Sequence, residues 1–438
     1  MGRGARRGRQ QPRHVRGQAA KAERRENKTP FPSARSHQSA VPELPGVKPQ
    51  DSHPNHHLEP FQTPPGALPA ALPRSFSSLL PSPRGFSTSG KRAEGSPGYP
   101  GVTPAVFVPT QLFTDGITNK LVACYTDEGM ADALLVRVYG RKTELLVDRE
   151  TELRNFQVLR AHGCAPDLYC AFQNGLCYQF LPGIALGPDH VRDPRIFRLV
   201  AREMARVHAI HANGSLPRPI LWQKLHKYLS LVKTELSPKV SNASLPQDVP
   251  SPEALEQELA WMEETLPQLG SPVVLCHNDL LCKNIIYDRT REHVRFIDYE
   301  YTGYNYQAFD IGNHFNEFAG VKEVDYGLYP SKETQLQWLR SYLQAYKELT
   351  QGHPGDTQGH PGDTQGHPGD TQVSEEELET LYVQVNKFSL ASHFLWACWG
   401  LIQDKYSTID FNFLRYAKLR FKQYFKMKPV VTALQVPK

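Results

Sequence analysis

The spacing of hydrophobic residues changes along this 438-residue chain and divides its central part into two regions. In the first region, apolar and polar residues alternate over short runs, which predicts strands with one helix among them. The strands are expected over 120–126, 134–139, 168–172 and 176–180, and the helix over 145–162. In the second region, helical spacing dominates and Pro182-Gly183 marks its beginning. Helices are expected over 194–210, 222–235 and 253–268, then strands over 273–277, 284–288 and 293–298, then helix to about residue 426. The pattern therefore predicts an α+β fold with a small β-rich lobe over 105–181 and a large, mainly helical lobe over 182–428.

Two segments lie outside this pattern. Residues 1–104 are rich in Arg, Pro and Ser, and the first 100 positions hold 16 of the 36 prolines of the chain. Such a composition does not bury enough apolar surface to offset the conformational entropy of the chain. The second segment repeats Gln-Gly-His-Pro-Gly-Asp-Thr three times from residue 351, and the Pro and Gly of every unit exclude a helix. We predict a disordered tail over 1–104 and a disordered insertion over 351–372 in a surface loop.

The formal net charge of +5 is unevenly distributed. The first 100 residues carry 16 Lys and Arg against six Asp and Glu, whereas the other 338 residues carry 34 against 39. The basic charge thus belongs to the tail, which lacks the interleaved aromatic residues that favour binding of single-stranded nucleic acid. We expect a solvated tail and no nucleic-acid partner, with an Arg-rich nucleic-acid tail or an organelle transit peptide as the alternatives.

The sequence also argues against membrane insertion and against an oxidising compartment. The longest nearly apolar stretch, from Leu390 to Ile402, has 13 residues, and a membrane-spanning helix needs about 20. The seven cysteines are an odd number without a Cys-x-x-Cys motif, which disfavours a disulfide framework and a structural zinc site. We therefore expect a cytoplasmic protein without stable membrane insertion.

One stretch of the helical region carries residues suited to chemistry. His277-Asn278-Asp279 follows an apolar run, Asn284 begins the next run, and Asp298 follows a third. Phosphoryl transfer needs a carboxylate that takes the proton of the acceptor hydroxyl, and a carboxylate and a neutral oxygen that bind Mg²⁺. The spacing His-x-Asp-x4-Asn, followed by an Asp at the end of a strand, is that of the catalytic loop of protein kinases. We therefore predict a two-lobed protein-kinase-like fold with Asp279, Asn284 and Asp298 as catalytic residues.

These residues and the runs around them resemble the choline/ethanolamine kinase family. The resemblance rests on His277 to Asn284, on Ile297-Asp-Tyr-Glu-Tyr301 and on Tyr304 to Phe315, and it extends from about Phe113 to Lys428. It implies an enzyme that phosphorylates a small amino-alcohol with ATP and Mg²⁺. By analogy with choline kinases it also implies a homodimer.

The resemblance places an ATP site between the lobes. A loop whose backbone N–H groups face phosphate oxygens includes Asp115, Gly116, Thr118 and Asn119. Arg137 matches the strand position of the phosphate-pairing Lys of protein kinases, and Glu152 on the next helix is its expected partner; an ordinary surface ion pair is the alternative. At most one short strand fits between Pro104 and Phe113, fewer elements than the small lobe of the family carries.

Further positions follow from the same resemblance. Gln179 and Leu181 match the hinge, where adenine pairs with backbone groups. Glu300, two residues after Asp298, is a candidate ligand for a second Mg²⁺, and the candidate metal set is thus Asn284, Asp298 and Glu300.

The acceptor site implied by the resemblance holds an ammonium group among aromatic faces, beside a carboxylate. The corresponding residues are Asp279, Tyr301, Glu317, Trp396, Trp399 and Tyr416. Trp396 and Trp399 lie three residues apart on one helical face, and packing in the core is the alternative for both.

One departure bears on the acceptor. Choline kinases usually continue Asn-His-Phe with Cys-Glu-Trp, whereas this chain continues with Asn316-Glu317-Phe318, as ethanolamine kinases do. A primary ammonium has N–H donors that need acceptors, which fits a polar residue at 316. The sequence thus favours phosphorylation of ethanolamine to phosphoethanolamine, the entry to phosphatidylethanolamine synthesis. A choline kinase and a catalytically impaired, kinase-shaped binding protein remain the alternatives.

Overall fold

The computed structural model of this chain describes residues 109–113, 118–126, 132–211, 217–235, 248–351 and 372–437. The predicted disordered tail over 1–104 and nearly all of the predicted insertion over 351–372 lie outside the described residues. The same is true of Asp115 and Gly116 in the candidate phosphate loop. These expectations therefore stay predictions.

The small lobe is built on a five-stranded antiparallel sheet with the strand order β1-β2-β3-β5-β4. Its strands are β1 (Thr110–Phe113), β2 (Lys120–Cys124), β3 (Leu134–Val138), β4 (Leu168–Phe172) and β5 (Gly175–Gln179). Along β3, Leu135 and Arg137 are buried and their neighbours are partly exposed, as the two-residue period of a strand requires. The buried face meets helix α1 (Arg149–Ala161), on which the Phe156 ring lies 5.8 Å from that of Tyr178.

A glycine permits the passage from the small lobe to the large lobe. Gly183 has a φ of +142°, and a Cβ there would lie 2.6 Å from the carbonyl oxygen of Tyr287. Because glycine has no side chain, β6 (Ile184–Ala185) pairs closely with β8 (Ile285–Asp288). Strand β9 (His293–Phe296) completes this three-stranded sheet.

The pairing of β8 with β9 creates one end of the candidate site. The two strands are antiparallel, with Ile285 opposite Phe296, and the Ile297 N–H donates to the Asn284 carbonyl at 3.0 Å. The beginning of β8 therefore lies beside the end of β9. As a result Asn284 and Asp298, 14 residues apart in the sequence, come to the same end of this hairpin.

A second small sheet positions the other polar motif. It pairs β7 (Val273–Cys276) with β10 (Gly303–Tyr306), so that Cys276 lies opposite Gly303. The hydrophobic pattern predicts helix for this part of the chain, and that prediction is wrong for residues 303–306. Three of the four residues of strand β10 are buried and they come from both of its faces, so the strand lacks the alternation by which a half-buried strand is recognised.

The remainder of the large lobe is helical. Its helices are α2 (Pro188–Val191), α3 (Pro194–His208), α4 (Leu221–Glu235), α5 (Pro252–Thr265), α6 (Gln307–Asn316), α7 (Lys332–Gln351), α8 (Glu375–Tyr406) and α9 (Phe413–Thr432). Helix α8 has 32 residues, begins with a capping box of Ser374 and Glu377, and is buried over most of its length. It therefore forms the centre of the large lobe. Among the helices that the structure describes, none combines the length and the apolar character of a membrane span.

The predicted arrangement of a β-rich small lobe and a helical large lobe is confirmed. Element bounds differ by a few residues; the helix predicted over 145–162, for example, is found at Arg149–Ala161, after a 3₁₀ turn at Thr143–Leu145. Helix α1 begins later than predicted because of a local contact. The Asp148 side chain accepts hydrogen bonds from the backbone N–H groups of Glu150 and Thr151 and thereby caps the helix.

Candidate active site

We call the region around the ion pair between Arg137 of the small lobe and Asp298 of the large lobe the cleft. Two residues of the motif on its large-lobe side have left-handed backbone conformations. Asn278 has a φ of +66° and Asp298 a φ of +67°, in a region where Asn and Asp occur more often than other non-glycine residues. The Asn278 side chain fixes the first turn, because Nδ2 donates to the Tyr301 carbonyl at 3.0 Å and Oδ1 accepts from Asn305 Nδ2 at 2.9 Å. The next residue, Asp279, lies close enough to Asp298, Glu317 and Glu300 for their charges to act on its carboxylate.

Asp310 of α6 braces this loop from below. Its fully buried carboxylate accepts hydrogen bonds from the backbone N–H of His277 at 2.9 Å and of Asn278 at 2.7 Å, and it lies 2.9 Å from His208 Nε2. Burial raises the pKa of Asp310, but the hydrogen bond and charge of His208 and the loop amide outweigh it, so this pKa is lowered overall. The loop is thus anchored to the large lobe through its backbone.

Asp279 and Asn284 occupy one short turn. Asn284 Nδ2 donates to the Asp279 carbonyl at 2.9 Å, which leaves the Asn284 Oδ1 atom as an acceptor for the cleft. No hydrogen bond to the Asp279 carboxylate comes from another residue of the described part. Burial, followed by the negative charges of Asp298, Glu317 and Glu300, raises the pKa of Asp279 well above its usual range. Asp279 is therefore suited to accept a proton and to face a cation.

Arg137 of β3 connects the small lobe to the cleft. Its side chain forms ion pairs with Glu152 of α1 and with Asp298. Arg137 is 4% exposed and Glu152 is 1% exposed, so this is a buried pair rather than the surface pair considered as the alternative. A charge buried without a partner costs several kcal/mol (about 3–5), and each of the two residues therefore depends on the other.

Arg149 extends this cluster and was missed by the sequence analysis. Its Nη1 atom lies 2.8 Å from Glu152 Oε2 and 2.9 Å from Glu300 Oε2, and its guanidinium carbon lies 3.7 Å from the ring centroid of Tyr139. Asn119 Nδ2 also donates to Glu300 Oε2, at 3.1 Å. The sequence did contain a signal, because a basic residue in the first turn of a helix opposes the helix dipole.

The oxygen atoms around Asp298 fit a divalent cation. Arg137 binds one carboxylate oxygen of Asp298 and leaves the other, and Asn284 contributes its amide oxygen at the same end of the hairpin. Glu300 Oε1 is buried and has no hydrogen-bond partner in the described part of the chain. Burial and the charge of Asp298 raise the pKa of Glu300. Hard oxygen ligands of this kind are those that Mg²⁺ prefers.

The aromatic residues predicted to hold the acceptor form one buried cluster. Ring centroids lie 5.2 Å apart for Tyr301 and Trp396, 5.5 Å for Trp396 and Trp399, and 6.2 Å for Trp399 and Tyr416. The Trp399 Nε1 atom donates to the Tyr301 hydroxyl at 2.9 Å. With exposed fractions between 1% and 6%, these four residues belong to the buried core, and their part in acceptor binding stays a prediction.

Glu317 forms a buried ion pair with Arg420 of α9, which the sequence analysis did not assign to the site. The Arg420 guanidinium carbon lies 5.1 Å from the ring centroid of Tyr416, and its Nη1 atom lies 3.4 Å from His393 Nδ1. Glu317 is thus held by a protein cation on one side. An arginine four residues after Tyr416, on the same helical face, was the signal for this contact.

Lys224 of α4 was also missed. Its ammonium group lies 5.3 Å from the ring centroid of Tyr301, within the range of a cation–π contact. Burial and the nearby charge of Lys227 lower the pKa of Lys224 to about 8, against the opposing charge of Glu300. The structure therefore brings a protein ammonium group next to Tyr301, one of the candidate acceptor residues.

The remaining candidate residues lie at the junction of the lobes. The Gln179 backbone N–H donates to the Asp167 carbonyl at 2.8 Å, and the Gln179 side chain accepts from the Asp167 N–H at 3.3 Å. Within the described residues the Leu181 N–H makes no hydrogen bond, so it is available to an adenine acceptor.

Thr118 approaches Gly140 so closely that a Cβ there would lie 2.0 Å from the Thr118 carbonyl oxygen.

The sequence of this chain matches known kinases over most of its length. The model of the choline/ethanolamine kinase family matches residues 110–425. Human ethanolamine kinase 2 is 65% identical over 331 residues, which cover 76% of this chain and 79% of that protein. Mouse ethanolamine kinase 1 is 60% identical over 331 residues, which cover 75% of this chain and 86% of that protein.

Solved structures agree with this match. An ethanolamine kinase of Plasmodium vivax superposes with a TM-score of 0.62 at 28% identity, covering 74% of this chain and 83% of that one. A choline kinase of Cryptosporidium parvum superposes with a TM-score of 0.60 at 22% identity, covering 74% of this chain and 90% of that one, which supports the fold alone. The predicted two-lobed protein-kinase-like fold is confirmed. Since the family match spans both lobes and all three motif residues Asp279, Asn284 and Asp298, this chain belongs to the choline/ethanolamine kinase family.

Proposed function

We propose that this chain is an ethanolamine kinase that transfers the γ-phosphoryl group of ATP to the hydroxyl of ethanolamine and forms phosphoethanolamine. The main observation in support of this proposal is that three other carboxylates lie near Asp279. Asp298, Glu300 and Glu317 all lie close enough to raise its pKa. Such a cleft favours cations, and the proposed reactants supply two of them, Mg²⁺ and the ammonium group of the substrate.

Asp279 is the proposed base. Its carboxylate orients the acceptor hydroxyl and takes its proton as the oxygen attacks the γ-phosphorus. Because the pKa of Asp279 is raised, its carboxylate binds a proton more strongly than that of an exposed Asp. The hydrogen bonds between Asp310 and the backbone of His277 and Asn278 hold the loop in position for this step.

The phosphate side of the site is proposed to consist of charged and backbone groups. Asn284, Asp298 and Glu300 would hold Mg²⁺, which when bound neutralises charge that develops on the phosphoryl oxygens. Arg137 is assigned to the phosphates, with Glu152 and Arg149 as the residues that position it. The loop residues Asp115, Gly116, Thr118 and Asn119 are assigned to the phosphates as well, and Gln179 and Leu181 to adenine.

Asn316 supports ethanolamine as the acceptor. This residue is 1% exposed, and its Nδ2 atom donates to the Ser389 carbonyl and to Ser392 Oγ, both at 3.0 Å. Its Oδ1 atom has no hydrogen-bond partner among the described residues, and it belongs to the residue next to Glu317. A primary ammonium brings N–H donors to such acceptors, whereas a trimethylammonium brings none. The relatives named ethanolamine kinase point the same way.

A choline kinase is the second candidate, favoured by the aromatic cluster of Tyr301, Trp396, Trp399 and Tyr416. The test is to measure kcat/KM for ethanolamine and for choline with Mg²⁺ and ATP. We expect the higher value for ethanolamine. We also expect a loss of about 10²–10⁴-fold in kcat for Asp279→Asn, with unchanged circular dichroism.

The outcomes separate the candidates. A higher kcat/KM for choline would reject the substrate assignment. Turnover of neither alcohol would reject the enzyme and favour a kinase-shaped binding protein. We further propose that the reaction takes place in the cytoplasm, at the entry to phosphatidylethanolamine synthesis. A homodimer is proposed from the analogy with choline kinases, and light scattering of the full chain tests it.

A further inference from the structure

We propose that Cys170 and Cys177 form a reversible disulfide and thus make a thiol modification site on the small lobe, apart from the candidate active site. Cys170 lies on the edge strand β4 and Cys177 on β5, and the register places the two residues directly opposite each other. Opposed residues of antiparallel strands have Cα atoms about 4.5–5.5 Å apart. Cysteines in disulfides have Cα atoms about 4.4–6.8 Å apart, so the spacing of opposed residues falls within the range of a disulfide.

The two thiols are accessible and interact. Cys170 is exposed and Cys177 partly exposed, whereas Cys164, Cys276 and Cys282 are buried. The register of β4 is irregular between Leu168 and Cys170, which marks a bulge at the edge of the sheet. Burial, the negative charge of Cys170 and a hydrogen bond between the two thiols raise the pKa of Cys177 to about 12. Cys170 is therefore the first nucleophile, because it is the exposed member of the pair.

The reaction balances with a small-molecule disulfide as the oxidant. The Cys170 thiolate attacks one sulfur of oxidised glutathione, forms a mixed disulfide and releases one glutathione thiolate. Cys170 then carries no negative charge, so its contribution to the raised pKa of Cys177 disappears. The Cys177 thiolate next attacks the Cys170 sulfur and releases the second glutathione. In total the two cysteines lose two protons and two electrons, and one oxidised glutathione becomes two reduced ones.

The bond would tie the edge of the sheet to the strand that leads to the hinge. Strand β5 ends at Gln179, and the disulfide closes a short loop with Asn174 and Gly175 at its turn. A covalent link of this kind restricts the unfolded chain and raises the melting temperature. Since β5 continues into Gln179 and Leu181, we expect oxidation to change KM for ATP more than kcat. The disulfide itself does not depend on the identity of the substrate.

The test uses the full-length reduced protein, incubated with oxidised glutathione, alkylated and digested with trypsin. Residues 161–192 form one tryptic peptide, which contains Cys164, Cys170 and Cys177. We expect this peptide to be lighter by two hydrogen atoms and alkylated at Cys164 alone, and dithiothreitol to reverse both changes. The melting temperature should rise on oxidation.

Matched variants identify the pair. Cys170→Ser and Cys177→Ser should each abolish the bridged peptide and the rise in melting temperature. Cys124→Ser is the control, because Cys124 lies on β2 near Cys177 but is not opposed to it, and this variant should keep the bridge. A bridge that survives Cys170→Ser would overturn the proposal. So would wild-type protein that stops at the glutathione adduct of Cys170, a result that does not depend on the folding of any variant.

Discussion

Asp279 belongs to the motif loop and Asp310 anchors that loop, yet the pKa values of the two carboxylates are shifted in opposite directions. Burial raises the pKa of both residues. At Asp310, hydrogen bonds from His208, His277 and Asn278 reverse this effect and lower the pKa. At Asp279, neighbouring carboxylates add to it. The hydrogen-bond donors of the fold thus meet the carboxylate of Asp310, which anchors the loop, whereas none of the described residues donates a hydrogen bond to the carboxylate of Asp279, the proposed base.

The largest effect is expected when Asp310, which anchors the motif loop, is altered. In Asp310→Asn, one amide N–H₂ group would face backbone N–H groups, and a carboxylate bonded to buried donors would be lost. We expect the free energy of unfolding to fall by about 3 kcal/mol, measured by urea denaturation, together with a loss of kcat.

The exposed Asp189 supplies the control for this variant, since its side chain is 91% exposed. Asp189→Asn should change the free energy of unfolding by less than about 0.5 kcal/mol. Equal effects of the two substitutions would mean that Asp310 does not anchor the loop.

A smaller effect is expected in the small lobe. The contacts of Arg149 there are ion pairs between side chains, whereas Asp310 binds backbone N–H groups. Arg149→Gln removes the cation between Glu152 and Glu300 and so weakens the placement of Arg137. We expect kcat/KM for ATP to fall about tenfold, equivalent to about 1.4 kcal/mol.

Arg160 on the same helix offers a matched control. Its ion pair with Asp167 is on the surface, with both side chains more than half exposed, and such pairs contribute little to stability. Arg160→Gln should leave kcat/KM for ATP unchanged. If both variants lost activity equally, the cluster around Arg149 would have no particular part in ATP binding.

The mildest perturbation is a change of pH. In the unmodified protein, we expect Asp279 and Asp310 to become protonated in different pH ranges. Because the pKa of Asp279 is raised, its base form is lost while the pH is still above the ordinary range of Asp. The pKa of Asp310 is lowered, so its contribution to stability is complete above the ordinary Asp value of about 3.9 and is lost only as the pH falls through its lower folded value. As the pH falls, kcat/KM should therefore decrease before the melting temperature does. A simultaneous decrease of both would contradict the comparison.

Residues at the ends of apolar runs were the most predictable part of the site. Asp279, Asn284 and Asp298 each lie near the end of a short strand, and their spacing is local to one stretch of sequence. Strand β10 was missed because it is short and three of its four residues, from both faces, are buried, so it lacks the alternation of a half-buried strand. The sequence also did not show that Asn119 is tied to Glu300, since the two are 181 positions apart.

Charged residues that act through distant partners were the least predictable. Arg149 contacts Glu300 over 151 positions, and Arg420 contacts Glu317 over 103. Lys224 reaches the ring of Tyr301 from another helix. An isolated Lys or Arg on a helix is ordinarily solvated, and nothing in its neighbours along the chain distinguishes the buried case.

The order of most strands and helices and the positions of the motif residues were present in the sequence alone, because hydrophobic periodicity and motif spacing are properties of short stretches. The direction in which the pKa of each carboxylate shifts could not be predicted from the sequence. It depends on which donors and charges the folded chain brings within a few ångströms, and electrostatic interactions fall off with distance through space rather than along the chain. Two Asp residues of one motif region, Asp279 and Asp310, therefore look alike in the sequence and differ in the folded protein.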